Sequence, residues 1–338
     1  MRVLSVTHPV FALHDNGVGH PERPDRLEAA LAGVAAAPVE AIRLSAPEID
    51  RALLHLVHEP GYVDHIEAFC LAGGGSLDPD TKAVEASWDA ALRSAGAGPA
   101  AVEALRAGEA DTAFLTVRPP GHHARPATAM GFCLFNNIAV TARMLTQRGE
   151  RVAIVDWDVH HGNGTEEMLA GDGDVFYVSL HQYPFYPGTG WLVDMTQGEA
   201  GATTMDFPVP AGTAGDAYRL AFDDVIVPVL RRFAPDWVLV SAGYDAHAMD
   251  PLAELRLLPS DYAAMTIAIR RLVDPSRTIF FLEGGYDLDA IRASVAATLT
   301  ACAGEPVSDE EVRWNSPTEA FAVVEAVAEQ SAAVWQDT

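Results

Sequence analysis

Short runs of uninterrupted apolar residues alternate along this chain with longer stretches in which apolar positions recur at helical spacing. The runs Val3–Val6, Ala113–Val117, Val152–Val155, Val175–Leu180, Met205–Pro208, Trp237–Ser241 and Thr278–Leu282 predict strands. The stretches Arg26–Ala36, Tyr62–Cys70, Ser87–Leu105, Ile138–Gln147, Tyr218–Arg232, Asp261–Leu272 and Leu288–Thr300 predict helices, and an Ala/Glu-rich helix follows near the C-terminus. Strands with so little alternation are buried on both faces, which predicts an α/β fold with a parallel sheet and helices packed on each side. There is no internal repeat, heptad pattern or low-complexity tract. Gly73-Gly-Gly75 and Gly96–Pro99 read as turn-forming punctuation, so residues 1–338 are expected to form a single domain.

The polar, glycine-rich segments fall at one kind of place. Arg118–Met130 follows the Ala113 strand, Asp156–Gly164 the Val152 strand, and His181–Gly190 the Val175 strand. Gly243–Pro251 follows the Trp237 strand, and Gly284–Asp287 the Thr278 strand. All five leave the C-terminal ends of their strands, the edge at which open α/β sheets bind ligands.

Composition narrows the partners. A formal charge of −25 and a pI near 4.6 argue against a phosphate-backbone partner such as nucleic acid and suit either plain solubility or a cationic substrate. Three cysteines, Cys70, Cys133 and Cys302, without a Cys-x-x-Cys pair indicate neither a disulfide framework nor a zinc ribbon. Met1–Thr7 has a strand pattern rather than a cleavable leader, and no stretch is long enough to span a bilayer, so a cytoplasmic location is expected.

Asp156-Trp-Asp-Val-His-His-Gly-Asn163 holds carboxylates and imidazoles at metal-ligand spacing. Side chains two residues apart on extended backbone point the same way, so Asp158 and His160 can reach one ion. Gly243-Tyr-Asp-Ala-His247 offers a third ligand, Asp245. Three protein ligands leave positions open for water and substrate, the layout of a catalytic site. His161 competes with His160 but sits off the alternation and is expected to pack behind the loop; His247 is either a further ligand or a rim residue. Zinc suits the mixed donor set, with Fe²⁺ or Mn²⁺ as alternatives. Arg118-Pro-Pro-Gly-His-His-Ala124 adds paired histidines that Asp156 and Asn163 can orient, and Glu283-Gly-Gly-Tyr286 adds a phenol. Together these describe amide hydrolysis, with histidine moving protons and tyrosine stabilising the oxyanion.

These motifs, with Gly131-Phe-Cys-Leu-Phe-Asn-Asn137, Tyr186-Pro-Gly-Thr-Gly190 and Ser241-Ala-Gly-Tyr-Asp-Ala-His247, resemble the histone deacetylase superfamily, closest to bacterial histone deacetylase-like amidohydrolases and class II enzymes; acetylpolyamine amidohydrolases are relatives. The resemblance runs from about His14 to Thr300. It implies the arginase/deacetylase fold, with a central parallel sheet of about eight strands flanked by helices. It also implies that Asp158, His160 and Asp245 hold one zinc ion, that Tyr286 polarises the carbonyl and that His123 is the general base and acid. His122 paired with Asp156 becomes a charged, electrostatic partner. Gly131, Phe132, Tyr186 and Gly284 would line a narrow tunnel for an acylated amine. A structural potassium ion would involve Asp156, Asp158, His160, Ser179 and Leu180. Many relatives carry aspartate where this chain has Asn163, so His123 should be easier to deprotonate here.

Leu252 stands where polyamine-selective members place an acidic gatekeeper after Asp-Pro, which favours acyl-lysine in proteins or peptides over acetylpolyamines or another small N-acetylated metabolite. His20 and Glu22, in His20-Pro-Glu-Arg-Pro24, are expected at the pocket rim. Two rivals have other chemistry. An arginase-type ureohydrolase needs a second bridging aspartate pair, which is missing from Gly243–His247; a non-catalytic acyl-amine binder would be expected to have lost a ligand, a histidine or the tyrosine, and all are present. Oligomeric state is left open, a homo-oligomer included.

Overall fold

The computed structural model describes residues 1–192, 203–307 and 314–335. One sheet contains eight strands: β1 (Arg2–Thr7), β2 (Glu40–Ser45), β3 (Thr112–Leu115), β4 (Val152–Asp156), β5 (Val175–Gln182), β6 (Thr204–Val209), β7 (Trp237–Ala242) and β8 (Thr278–Leu282). Their spatial order is β2-β1-β3-β8-β7-β4-β5-β6, and every pairing is parallel. Helices α1 (Asp25–Ala36), α2 (Pro60–Leu71), α3 (Ser87–Arg106), α4 (Asn137–Thr146), α5 (Asn163–Leu169), α6 (residues 215–233, with a π turn at Phe222–Ile226), α7 (Pro259–Ile269), α8 (Leu288–Cys302) and α9 (Thr318–Trp335) cover it.

The apolar runs become strands because each successive side chain enters a different core. In β8, Ile279 and Phe281 join the cluster under α2, α3 and α4, whereas Phe280 and Leu282 join the cluster under α1, α7 and α8. The sheet is therefore buried on both sides, as the unalternating runs predict. Placing β3, β8, β7 and β4 side by side brings the loops that follow them to one point on the C-terminal edge.

Two local expectations are corrected. β2, Glu-Ala-Ile-Arg-Leu-Ser, is an edge strand with one neighbour and an exposed, charged face, so its sequence lacks the apolar run that marks the inner strands. Gly96–Pro99 is no turn but lies inside α3. A Cβ at Gly96 would overlap the Pro47 carbonyl, and one at Gly98 would overlap Thr141 Oγ1, so these glycines permit close approach of the helix to its neighbours. Among the described residues no helix is long and apolar enough to cross a membrane.

Candidate active site

Asp156 ends β4, and the chain bends over Asp158–His160. Asp158 Oδ1 accepts from the backbone N–H of His160 at 2.9 Å and lies 3.0 Å from His160 Nδ1. Asp245, in the loop after β7, brings Oδ2 to 3.3 Å from the same ring nitrogen. One ligand atom from each of the three lies within 4.8 Å of the others, and all three residues are buried. Asp158 Oδ2 accepts from Gly284 N at 2.7 Å and Asp245 Oδ1 from Val159 N at 2.9 Å, but among the described residues Asp245 Oδ2 makes no hydrogen bond. Two buried carboxylates beside one imidazole, with one oxygen undonated, form a donor set that fits a divalent cation. Glycine is required around it: a Cβ at Gly243 would overlap Asp158, and one at Gly284 would overlap Asp245 Oδ2.

The two histidines of the β3–α4 loop are held differently. His122 Nδ1 donates to Asp156 Oδ2 at 3.0 Å. Burial disfavours its charge, but Asp158 and Asp156 outweigh burial and raise its pKa to about 10. His123 Nδ1 donates to Asn163 Oδ1 at 2.8 Å, which leaves Nε2 as the basic nitrogen. Burial, then the charges of His122 and His160, hold His123 well below the ordinary histidine range. The pKa values of the two rings, 4.0 Å apart between centroids, are thus moved in opposite directions.

Above these groups lies a cavity of about 220 Å³, lined by His122, His123, His160, Gly131, Phe132, Tyr186, Leu252, Gly284, Tyr286, Pro120 and Asp80. Gly131 has φ +55°, and a Cβ there would overlap the His123 ring. Phe132 also lies in the left-handed region, at φ 67°, with its N–H donating to Thr81 Oγ1 at 3.0 Å. A non-glycine residue held there is the kind of backbone strain that concentrates at functional sites. Tyr186 is 36% exposed at the mouth and meets the His123 ring edge-on at 5.2 Å. Phe185 stacks on His160 at 5.4 Å. Tyr286 packs against Phe132 and under the Arg26 guanidinium, 5.0 Å from its ring centre.

The remaining sequence-predicted residues fall as follows. His20 is half-buried and meets the Phe132 ring edge-on at 4.6 Å. Glu22 is not a rim residue: it is 0% exposed, its Oε1 accepts from Arg26 Nη1 at 2.8 Å and from Arg118 Nε, and its Oε2 accepts from Arg118 Nη2 at 2.6 Å. A carboxylate neutralised by two guanidiniums can be buried, and this one is. His247 is 7% exposed, lies outside the ligand cluster and accepts from Met249 N at its Nδ1, so it is neither ligand nor open rim. His161 is buried behind the loop, 3.0 Å from Glu166 and 3.5 Å from Asp206. Ser179 pairs with Asp156 in register across β4 and β5, its Oγ 2.9 Å from His181 Nδ1, and the Leu180 carbonyl accepts from Tyr218 at 3.3 Å.

A family model for the histone deacetylase domain matches residues 20–302. This chain belongs to the histone deacetylase family. It is 42% identical over 284 residues to histone deacetylase 10, chloroplastic, of Oryza sativa subsp. japonica, an alignment covering 78% of this chain and 64% of that protein. It is 39% identical over 277 residues to the histone deacetylase-like amidohydrolase of Pseudomonas aeruginosa, covering 79% and 73%. The crystal structure of the HDA15 HD domain superposes with a TM-score of 0.91 at 34% identity, over 99% of this chain and 97% of that one. The chain thus spans somewhat under two thirds of the length of its rice relative.

Within this histone deacetylase fold, several supporting residues escaped the sequence reading. Glu283 Oε2 accepts from Gly121 N at 2.6 Å and His122 N at 3.2 Å, tying the histidine loop to the tyrosine loop; burial raises its pKa to about 7 despite the His122 charge. Asp250 Oδ2 accepts from Tyr286 N at 2.7 Å and Oδ1 from Leu252 N at 2.9 Å. Tyr177 donates to Asp156 at 3.2 Å. A lone acid directly after an apolar strand was the available signal for Glu283; Tyr177 lies inside a strand and gives none.

Proposed function

We propose that this protein is a metal-dependent amidohydrolase that removes acetyl or other short acyl groups from the lysine side-chain amine in proteins or peptides. The observation that carries this reading is the undonated Asp245 Oδ2 beside Asp158 and His160, under a cavity that also presents His123 and Tyr286. The names of the rice and Pseudomonas relatives, a histone deacetylase and an amidohydrolase, support it.

Asp158, His160 and Asp245 would hold one divalent ion, zinc by donor type and iron(II) as the alternative; the chemistry it supplies when bound is activation of water and polarisation of the acyl carbonyl. His123 accepts the water proton at Nε2 and returns it to the leaving amine, while Asn163 keeps its ring in register. His122, charged and anchored by Asp156, offsets negative charge that develops beside it. The Tyr286 hydroxyl donates to the carbonyl oxygen as it becomes an oxyanion. Phe132 and Tyr186 grip the methylenes of the acylated amine, and Gly131 and Gly284 leave room for them. A structural potassium ion at Asp156, Asp158, His160, Ser179 and Leu180 belongs to the same reading.

Hydrolysis of acetylpolyamines or another small N-acetylated metabolite is the second reading, and Asp80, a carboxylate in the cavity wall, is the observation that favours it. Turnover of acetyl-lysine peptide, N-acetylputrescine and N-acetylated amino acids decides between them. The expected result is the highest kcat/KM on acetyl-lysine, with Asp245→Ala losing that activity and one bound metal ion together while its circular dichroism is unchanged. A wide preference for N-acetylputrescine would overturn the substrate assignment, and an active Asp245→Ala the metal assignment.

A further inference from the structure

His161, next in sequence to His160, faces away from the cavity into a second set of donors. Its Nε2 lies 3.0 Å from Glu166 Oε2, on α5, and 3.5 Å from Asp206 Oδ1, on β6. One ligand atom of each residue falls within 4.8 Å of the other two. The groups shares no residue with Asp158, His160 and Asp245. It is therefore a separate centre rather than the second half of a bridged two-metal site.

Three features point to an ion. His161 is 1% exposed, and its Nε2 is aimed between two carboxylates at ion-pair distance, yet among the described residues no contact of this nitrogen has the geometry of a hydrogen bond. Its Nδ1 is engaged by Thr189 Oγ1 at 2.7 Å, the outer contact that orients a ligating imidazole. The neighbouring His181, 4.8 Å away, is occupied at both nitrogens, by Ser179 and by the Gly190 carbonyl, and cannot supply the missing partner. Access exists as well: Glu166 and Thr189 line a cavity of about 460 Å³ that also touches Asn163.

We propose that His161, Glu166 and Asp206 form a second divalent transition-metal site, reached through this cavity. One nitrogen and two carboxylates suit zinc or manganese, and metal–ligand bonds of about 2.0–2.2 Å put tetrahedral donors about 3.4 Å apart, close to the 3.0 and 3.5 Å separations found here. A proton on Nε2 is the competing cation. It would make His161 a plain ion-pair partner.

The full-length protein is freed of metal by chelation and then titrated with Zn²⁺, with bound zinc counted by dialysis and elemental analysis. The expected result is that Asp206→Asn binds one zinc fewer per chain than wild type, and that Asp245→Ala still binds one. An Asp206→Asn protein that folds and binds as many zinc ions as wild type would overturn the proposal, leaving the imidazolium. Should Asp206→Asn fail to fold, Glu166→Gln, at a more exposed position on α5, is judged by the same count. Because the Asp245→Ala background lacks the proposed catalytic site, failure of the second site and failure of the catalytic assignment give different counts.

Discussion

Two buried charge clusters lie under the same loops and are built in opposite ways. Around Glu22, one carboxylate meets two guanidiniums: Arg26 and Arg118 saturate it, Asn16 Nδ2 adds a donor at 2.7 Å, and Arg118 Nη1 spends its remaining donors on the carbonyls of Phe11 and His14. Around His160, two carboxylates share one imidazole, and Asp245 Oδ2 is left without a donor. The first cluster is complete as a protein structure and fastens the N-terminal segment to the tyrosine loop, since Arg26 also donates to the carbonyls of Glu283 and Gly285. The second is electrostatically incomplete. Burial of charge marks both, so burial alone does not identify a reactive site; here the difference is an acceptor without a hydrogen bond beside an imidazole and a second carboxylate.

The largest effect that could break this contrast is on stability. Glu22→Gln would strand two buried guanidiniums and should destabilise the fold by about 3–5 kcal/mol. Asp245→Asn in metal-free protein should leave Tm unchanged or raise it, because burial and the Asp158 charge already push the Asp245 pKa up. Similar losses from both, measured by thermal unfolding, would erase the distinction. The pH dependence has the corresponding sign. Burial works against the Glu22 charge, but Arg118 and Arg26 hold its pKa at about 2, below the ordinary 4.5. Its contribution is full above about pH 4.5 and is lost as pH falls through about 2. Glu22→Gln should flatten that acid limb.

Next comes chemistry. Tyr286→Phe should lower kcat by about two to three orders of magnitude, the scale of one lost oxyanion donor, with little change in Tm because the ring keeps its contacts with Phe132 and Arg26. Near-normal kcat in a folded variant would make Tyr286 part of the structural cluster instead.

The smallest effect concerns the mouth. Leu252→Glu should move the ratio of kcat/KM toward acetylpolyamines by about fivefold or less, the scale of a half-exposed ion pair, with ionic strength held constant. An unchanged ratio would shift the choice of substrate to Asp80, the carboxylate already in the cavity wall.

Much of this protein could be read from its sequence because the deciding interactions are local or periodic. Apolar runs doubly buried in the sheet identify the seven strongest strands, and Asp158 and His160 do meet, although through a bend in which the Asp158 side chain accepts from His160 N rather than through extended alternation. The register of motifs against strand ends also placed five loops on one edge. Tertiary structure alone decided which polar residues are buried. His20-Pro-Glu-Arg-Pro24 reads as a surface loop, and Glu22 lies in the core only because Arg118, 96 positions further on, meets it there. Gly96 and Gly98 read as breakers until neighbouring elements press against α3. His161 and Asp206 are on separate elements that only the β4–β5–β6 order brings together. A backbone period is written in neighbouring residues, whereas compensation of a buried charge depends on partners that only folding brings within a few ångströms.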